Sequence, residues 1–377
     1  GEWARDIRLE DQPVWVGDRE GRRGALHISG PTGETDAGFS CVAQPIEEGP
    51  AWIVGWEPLI DATHGEDVVH HMDVFLCHRS VTEQWDLCDA KVCSTDAFME
   101  NYVETISPGR PKKGVGSEVS RAMRDARGKP TKKQLSGCNL VLAYDKGAVP
   151  YMLPEGYGFE IGPGTASEHR IVLQNHFLVP SGWGSRGVRD SSGMRLFLTN
   201  ERPDHIVAGF SMNDFGLLIP PSLPAYHYSF ETSAGVLLRS PLANDLKSPE
   251  NGKGVRFVAA HLHAHNMARR MWIEHMRGGV KVGEVARIDE YSGYGPDQTF
   301  FHVLNPSAPL FEVGDSLVLN CVFNSTELLD TTQYGVSHGT EMCAAFVVYA
   351  NHDTSALPRY GNMPSVWTKP GRLGSLN

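Results

Sequence analysis

Three histidines at alternate positions, His261, His263 and His265, stand in the run VAAHLHAHN. On a strand, alternate side chains share one face, so three imidazoles there form a template for a metal ion. Without a metal, the same triplet is a surface histidine patch. A second grouping, His70-His71 in EDVVHHMDVFLC, places two imidazoles side by side. Adjacent strand residues point to opposite faces. Both reach one ion only where the backbone bends, or where they use different ring nitrogens. His176 stands alone in IVLQNHFLVP, where a satisfied core histidine is the plainer reading. Met342 in TEMCAAFVVY reads on its own as core filler.

The seven cysteines are Cys41, Cys77, Cys88, Cys93, Cys138, Cys321 and Cys343. Cys88 and Cys93 have the spacing of half a zinc site, but no matching second half with tight Cys/His spacing follows. Disulfides in an oxidising compartment fit the set better. The sequon Asn324-Ser325-Thr326 agrees with a secreted, glycosylated chain. The abrupt start at Gly1 suggests a trimmed N-terminus. A formal net charge of −11 argues against a nucleic-acid binder, whose phosphate contacts need a basic face. No apolar run is long enough to span a bilayer, so no integral membrane span is expected.

These side chains must be placed by strands, because helical periodicity is scarce. Short apolar runs recur between Gly, Pro, Asn and Asp breaks. They fall at 51–54, 68–76, 170–179, 194–198, 257–262, 317–323 and 344–349. That pattern predicts an all-β chain of sandwich type. With 377 residues, two domains are the default, and the polar break Glu201-Arg202-Pro203-Asp204 divides them into 1–203 and 204–377. A basic insertion over about 94–137 interrupts the first. Its core, residues 107–133, holds nine Lys/Arg against two Asp/Glu. The plain reading is a solvated surface insertion, and the sharper one is a docking or processing loop for an acidic partner.

Taken in order, these stretches resemble the copper type II, ascorbate-dependent monooxygenases, the family of peptidylglycine α-hydroxylating monooxygenase and dopamine β-hydroxylase. VVHHMDVFLC resembles the HHM motif of the first copper, and LQNHFLVP the segment bringing its third histidine. DSSGMRLFLT and IVAGF resemble the end of the first domain. HAHNMARRM resembles the HTH-type motif of the second copper. GDSLVLNCVFN followed by TEMC resembles the segment carrying its methionine. The resemblance implies two jelly-roll-like β-sandwich domains, each with a copper site. His70, His71 and His176 would hold an electron-storing copper, with Gln174 beside it as electron-transfer support. His263, His265 and Met342 would hold the copper that binds dioxygen. The implied reaction is hydroxylation of a C–H bond in a small-molecule or peptide-like substrate, with dioxygen and a reductant such as ascorbate. A non-catalytic copper-binding or structural descendant is the other reading. The implied disulfides are Cys41–Cys88, Cys77–Cys93 and Cys321–Cys343, with Cys138 free.

The peptide-amidating members grip a substrate carboxylate with an Arg, an Asn and a Tyr. Those positions fall here on His261, Ala344 and Phe346, so the guanidinium fork is gone. The resemblance and the spacing also disagree over His261. A same-face triplet on a straight strand spans about 13 Å from first to last, at roughly 3.3 Å per residue. Metal–imidazole bonds are about 2 Å, and no Gly or Pro lies between His261 and His265 to bend the strand. Met342 is therefore expected to complete the second site, with His261 on its substrate side.

Overall fold

The computed structural model describes residues 2–8, 12–14, 27–29, 35–45, 52–62, 68–78, 138–161, 169–178, 188–214, 216–233, 254–293, 295–335, 339–351 and 365–366. Among them the regular structure is strand, apart from one 3-10 turn at Gly295–Gln298. The described residues are essentially all-β, as the apolar runs predict. Seven strands come first: β1 (Glu2–Arg8), β2 (Gln12–Val14), β3 (His27–Ser29), β4 (Thr35–Pro45), β5 (Trp52–Leu59), β6 (Val69–His78) and β7 (Cys138–Asp145). β8 (Tyr151–Met152) and β9 (Tyr157–Glu160) follow, then β10 (His169–Leu178), β11 (Val188–Asp190) and β12 (Gly193–Thr199). The rest of the chain holds β13 (His205–Asn213), β14 (Leu218–Ile219), β15 (Tyr226–Ser233), β16 (Val255–His263), β17 (Ala268–Arg277) and β18 (Val280–Ile288). It continues with β19 (Phe301–His302), β20 (Asp315–Phe323), β21 (Thr332–Gln333), β22 (Ala344–Asn351) and β23 (Ser365–Val366).

Two compact units result. The first comprises 1–144 and 161–201, and the second 145–160 and 202–377. The segment Asp145–Glu160 belongs to the second unit because β9 pairs in parallel with β13. In the first unit, β10 is the centre of a sheet ordered β3-β4-β10-β6-β7 and pairs antiparallel with both β4 and β6. A separate antiparallel set runs β1-β12-β5. Residues 171–177 of β10 are all buried, as expected of a central strand covered on both faces.

The second unit is a sandwich. Strands β9, β13, β22, β16 and β19 form one sheet, and β15-β20-β17-β18 the other. Phe210, Leu262, Val347 and Tyr349 of the first sheet pack against Phe230, Met271, Ile273 and Leu319 of the second, all essentially inaccessible to solvent. The opposite face of the first sheet is covered too. There His261 pairs across with Phe346, and His263 with Ala344. Phe346 lies 5.4 Å, ring to ring, from Phe300, which lies 5.1 Å from His261 and 5.9 Å from Tyr151. Gly209 makes room for this layer: a Cβ there would sit 2.4 Å from the Phe346 ring.

A disulfide joins Cys321 on β20 to Cys343, just before β22, so it staples the two sheets of the sandwich together. Cys77 is also disulfide-bonded. Its expected partner Cys93, and Cys88 of the other expected pair, lie outside the described residues, as do the side chains of Cys41 and Cys138. The basic stretch 94–137 lies outside them as well. No helix among the described residues is long and apolar enough to cross a membrane.

Candidate metal centres

In the first unit, His70, His71 and His176 converge. Their ligand atoms all lie within 4.8 Å of one another. Ring centroids are 5.3 Å apart for His70–His71, 5.3 Å for His70–His176 and 4.7 Å for His71–His176. The strand register explains how adjacent histidines reach one point. His176 of β10 pairs with His71 of β6, but the next pair is Phe177 with Val69, which leaves His70 as an extra residue. The same skip recurs on the other side of β10, where Gly38 of β4 is passed over. A bulge re-aims the extra side chain and bends the strand. It supplies the bend that the His70-His71 pair requires. His176 is buried, and His70 and His71 are half-buried. Gln174, two residues before His176 on β10, is completely buried.

In the second unit, β16 ends at His263. His261 and His263 share one face, but His265 lies beyond the strand in the following turn. The three therefore do not form a straight same-face triplet. The rings of His263 and His265 are 5.5 Å apart and nearly perpendicular, at 84°. His265 Nδ1 is 2.8 Å from the Thr340 carbonyl oxygen. A carbonyl only accepts, so Nδ1 carries the hydrogen and Nε2 keeps its lone pair. His263 is set the same way. Its Nδ1 lies 2.8 Å from Gln298 Oε1, and the Gln298 amide is oriented because its Nε2 donates to the Gly293 carbonyl. Both imidazoles thus turn Nδ1 to an acceptor, so each ring in its neutral form offers Nε2 for coordination, as metal-ligating histidines usually do.

Glu341 links the turn to Met342. It is fully buried and accepts three backbone N–H groups: His265 and Met342 on Oε1, the latter at 2.9 Å, and Met267 on Oε2 at 2.9 Å. Burial pushes its carboxyl up to about 7, against the opposing pull of those three donors. Tyr291 Oη braces the same turn at both the N–H and the carbonyl of Ala264, each at 2.8 Å. Gly293, at φ 77°, lets its loop close over the turn; a Cβ there would meet the His265 carbonyl oxygen at 2.7 Å. Met342 itself is half-buried.

His261 sits elsewhere than on an open face. It is only 4% exposed, and its Nε2 is 3.0 Å from Asp145 Oδ2, although out of line for a hydrogen bond. The same oxygen is 3.3 Å from His263 Nδ1. Burial alone would raise the Asp145 carboxyl, but the two imidazoles hold it well below the usual carboxylate range. Phe346 is buried and Ala344 half-buried. Asp145, Glu341, Gln298 and Tyr291 were not singled out by the sequence. Glu341 alone had a signal, standing inside the run TEMC.

The two histidine groups, the second with Met342 joined to the His265 backbone through Glu341, have the donor types that suit copper in both oxidation states. Comparison with known proteins agrees. Residues 27–182 match the family described as copper type II ascorbate-dependent monooxygenase, N-terminal domain, and residues 243–359 match its C-terminal domain. A tyramine beta-hydroxylase of Caenorhabditis briggsae is 25% identical over 303 residues, covering 79% of this chain and 42% of that protein. The DBH-like monooxygenase protein 1 of Homo sapiens is 24% identical over 328 residues, covering 85% and 45%. A peptidyl-glycine alpha-amidating monooxygenase of Mus musculus is 23% identical over 330 residues, covering 86% and 26%. The chain thus spans less than half the length of these relatives.

Proposed function

The chain belongs to the copper type II ascorbate-dependent monooxygenases, and from that membership we propose that it binds two coppers and hydroxylates a C–H bond of a small molecule. The first copper is assigned to His70, His71 and His176 in the domain of about 1–203. The second is assigned to His263, His265 and Met342 in the domain of 204–377, to which Asp145–Glu160 also contributes. The observation that supports this most is the fixed tautomer of His263 and His265, each with Nδ1 held by an acceptor and Nε2 left to coordinate.

Bound copper supplies one-electron redox chemistry toward dioxygen, with ascorbate as the reductant. The protein's own part is to place donors and hold protons. Thr340 and Gln298 keep the Nδ1 hydrogens in place. Glu341 ties the backbone of His265 to that of Met342, so the hard and soft donors move together. Gln174 is assigned a supporting role beside the first copper. Cysteine pairing and the half-buried Asn324 of the sequon fit a secretory-pathway protein that carries a glycan.

The substrate is proposed to lack a carboxylate at the second centre. His261, Ala344 and Phe346 offer no guanidinium fork, and Asp145 already places a carboxylate 3.0 Å from His261. An incoming anion would meet an anion. The test is metal analysis of the purified chain, followed by ascorbate-dependent oxygen consumption with a panel of aryl amines, aliphatic alcohols and glycine-extended peptides. Two coppers per chain and turnover with a non-carboxylate compound are expected. A chain that holds no copper, or that turns over only glycine-extended peptides, sinks the reading.

A further inference from the structure

Asp145 is a buried carboxylate that neither ligand set uses. It is 4% exposed, and Asp145, His261 and His263 offer ligand atoms that all lie within 4.8 Å of one another. We infer that Asp145 is a positioning residue of the second copper centre: it commits His263 to coordination through Nε2 and keeps His261 out of the coordination shell. The inference rests on the two-copper reading above.

The argument runs through lone pairs. An ionised carboxylate only accepts hydrogen bonds. A ring nitrogen with a bare lone pair, facing Asp145 Oδ2 at 3.0–3.3 Å, would be repelled. Both facing nitrogens, His261 Nε2 and His263 Nδ1, therefore carry hydrogen. For His263 this reinforces Gln298, which takes the same hydrogen at 2.8 Å, and it leaves Nε2 as the sole donor to a metal. A carboxylate behind a metal-bound imidazole also raises the basicity of the coordinating nitrogen. For His261 the remaining lone pair is on Nδ1, while Nε2 faces the carboxylate. The ring is further confined by Phe300, 5.1 Å away at 36°.

The same three residues could instead grip an ion directly, as an Asp–His–His set. That arrangement would require His263 Nδ1 to exchange its 2.8 Å contact with Gln298 for a metal bond. It would also turn Nε2 of His263 away from the role it shares with His265. The reading in which Asp145 faces two N–H-bearing ring nitrogens keeps every observed contact.

The test uses the full chain and its Asp145→Ala, Asp145→Asn and His261→Ala variants. The copper affinity of the second centre is read by competition with a chelator. The nitrogen and sulfur ligand counts come from X-ray absorption. Asp145→Ala should bind the second copper roughly 10–100-fold more weakly, with the first copper retained as a check on folding. Asp145→Asn keeps an acceptor and should lose less. His261→Ala should hold its second copper with an unchanged ligand count. Equal affinity in the unsubstituted chain and both Asp145 variants would overturn the inference. So would loss of the second copper, or of one nitrogen ligand, in His261→Ala. An unsubstituted chain that binds only one copper would instead sink the two-copper reading on which the inference stands.

Discussion

Copper counting separates the two proposed ligand sets residue by residue. Met342→Ala should erase the sulfur contribution from the X-ray absorption spectrum of the reduced protein, and oxygen-dependent turnover with it. The copper at His70, His71 and His176 should stay in place. Retention of a sulfur ligand in that variant would assign the thioether elsewhere. Glu341→Ala should be costly for a different reason. It strands three buried backbone donors, each worth about 1–3 kcal/mol when left unsatisfied. A loss of roughly 3 kcal/mol or more is expected in urea unfolding, with Glu341→Gln recovering part of it by keeping one acceptor. A loss under about 1 kcal/mol would show that water takes over the three donors. The contrast between these neighbours shows what is legible in a sequence. Met342 could be proposed as a ligand because GDSLVLNCVFN followed by TEMC resembles the family segment that carries a methionine. Glu341 stands in the same TEMC run, but the run does not mark it as an acceptor, since its partners are backbone groups that any residue could supply. Asp145 was invisible for a similar reason: its partners lie more than a hundred positions away.

Strand pairing supplied what periodicity could not. The apolar runs marked most strands that carry the proposed ligands, but not the bulge that turns His70 toward His71. A bulge is a property of two strands at once, visible only when His176 is set against His71 and Phe177 against Val69. β16 read as a strand with a histidine face, but both of its faces are covered, one by the sandwich core and the other by Phe300 and Asp145. The β17–β20 pair holds a further device that the sequence did not suggest. Asp315 accepts Arg277 Nε and Nη2 at 2.8 Å each, the Glu312 N–H at 2.9 Å, and faces His275 Nε2 at 2.7 Å. Burial alone would raise this carboxyl, but those donors outweigh it and hold it below the ordinary range. A depressed folded pKa adds stability above the unfolded value, about 3.9, and loses it as pH falls through the folded one. Asp315→Asn should therefore cost roughly 1.5–3 kcal/mol at neutral pH, the range for hydrogen bonds to charged groups. The gap to the unsubstituted chain should close below about pH 4. Urea midpoints at pH 7, 5 and 3 would check it, and a gap that stays constant to pH 3 would refute it.

At the scale of the whole molecule, the chain does not run through one unit and then the other. It leaves the first at 144, contributes Asp145–Glu160 to the second, returns at 161, and leaves again after Glu201. The polar break at 201–204 is readable as punctuation. The earlier excursion is not, because it depends on parallel pairing between β9 and β13 across an intervening stretch of 44 residues (161–204). The Cys321–Cys343 bridge ties the second unit's two sheets together across 22 positions. Closing a loop of that length is worth about 3 kcal/mol in the chain-entropy picture. The Cys321→Ser/Cys343→Ser double variant should lose about that much, and should also bind Cu(I) more weakly at the second centre, because Met342 adjoins Cys343. Chelator competition and denaturant midpoints read the two effects separately. Unchanged Cu(I) affinity would mean that Glu341 alone anchors the thioether.

Both sulfurs of that bridge belong to residues with no solvent exposure. Thiol–disulfide exchange needs a thiolate to reach a sulfur, so small reductants in the surrounding medium have no line of attack. Under the proposed function, electrons from ascorbate would have to reach the metals without loosening the covalent link beside Met342. Interring the bridge between two sheets separates those fates: His70, His71, His263 and Met342 are half-buried, and the sulfur–sulfur bond is closed off.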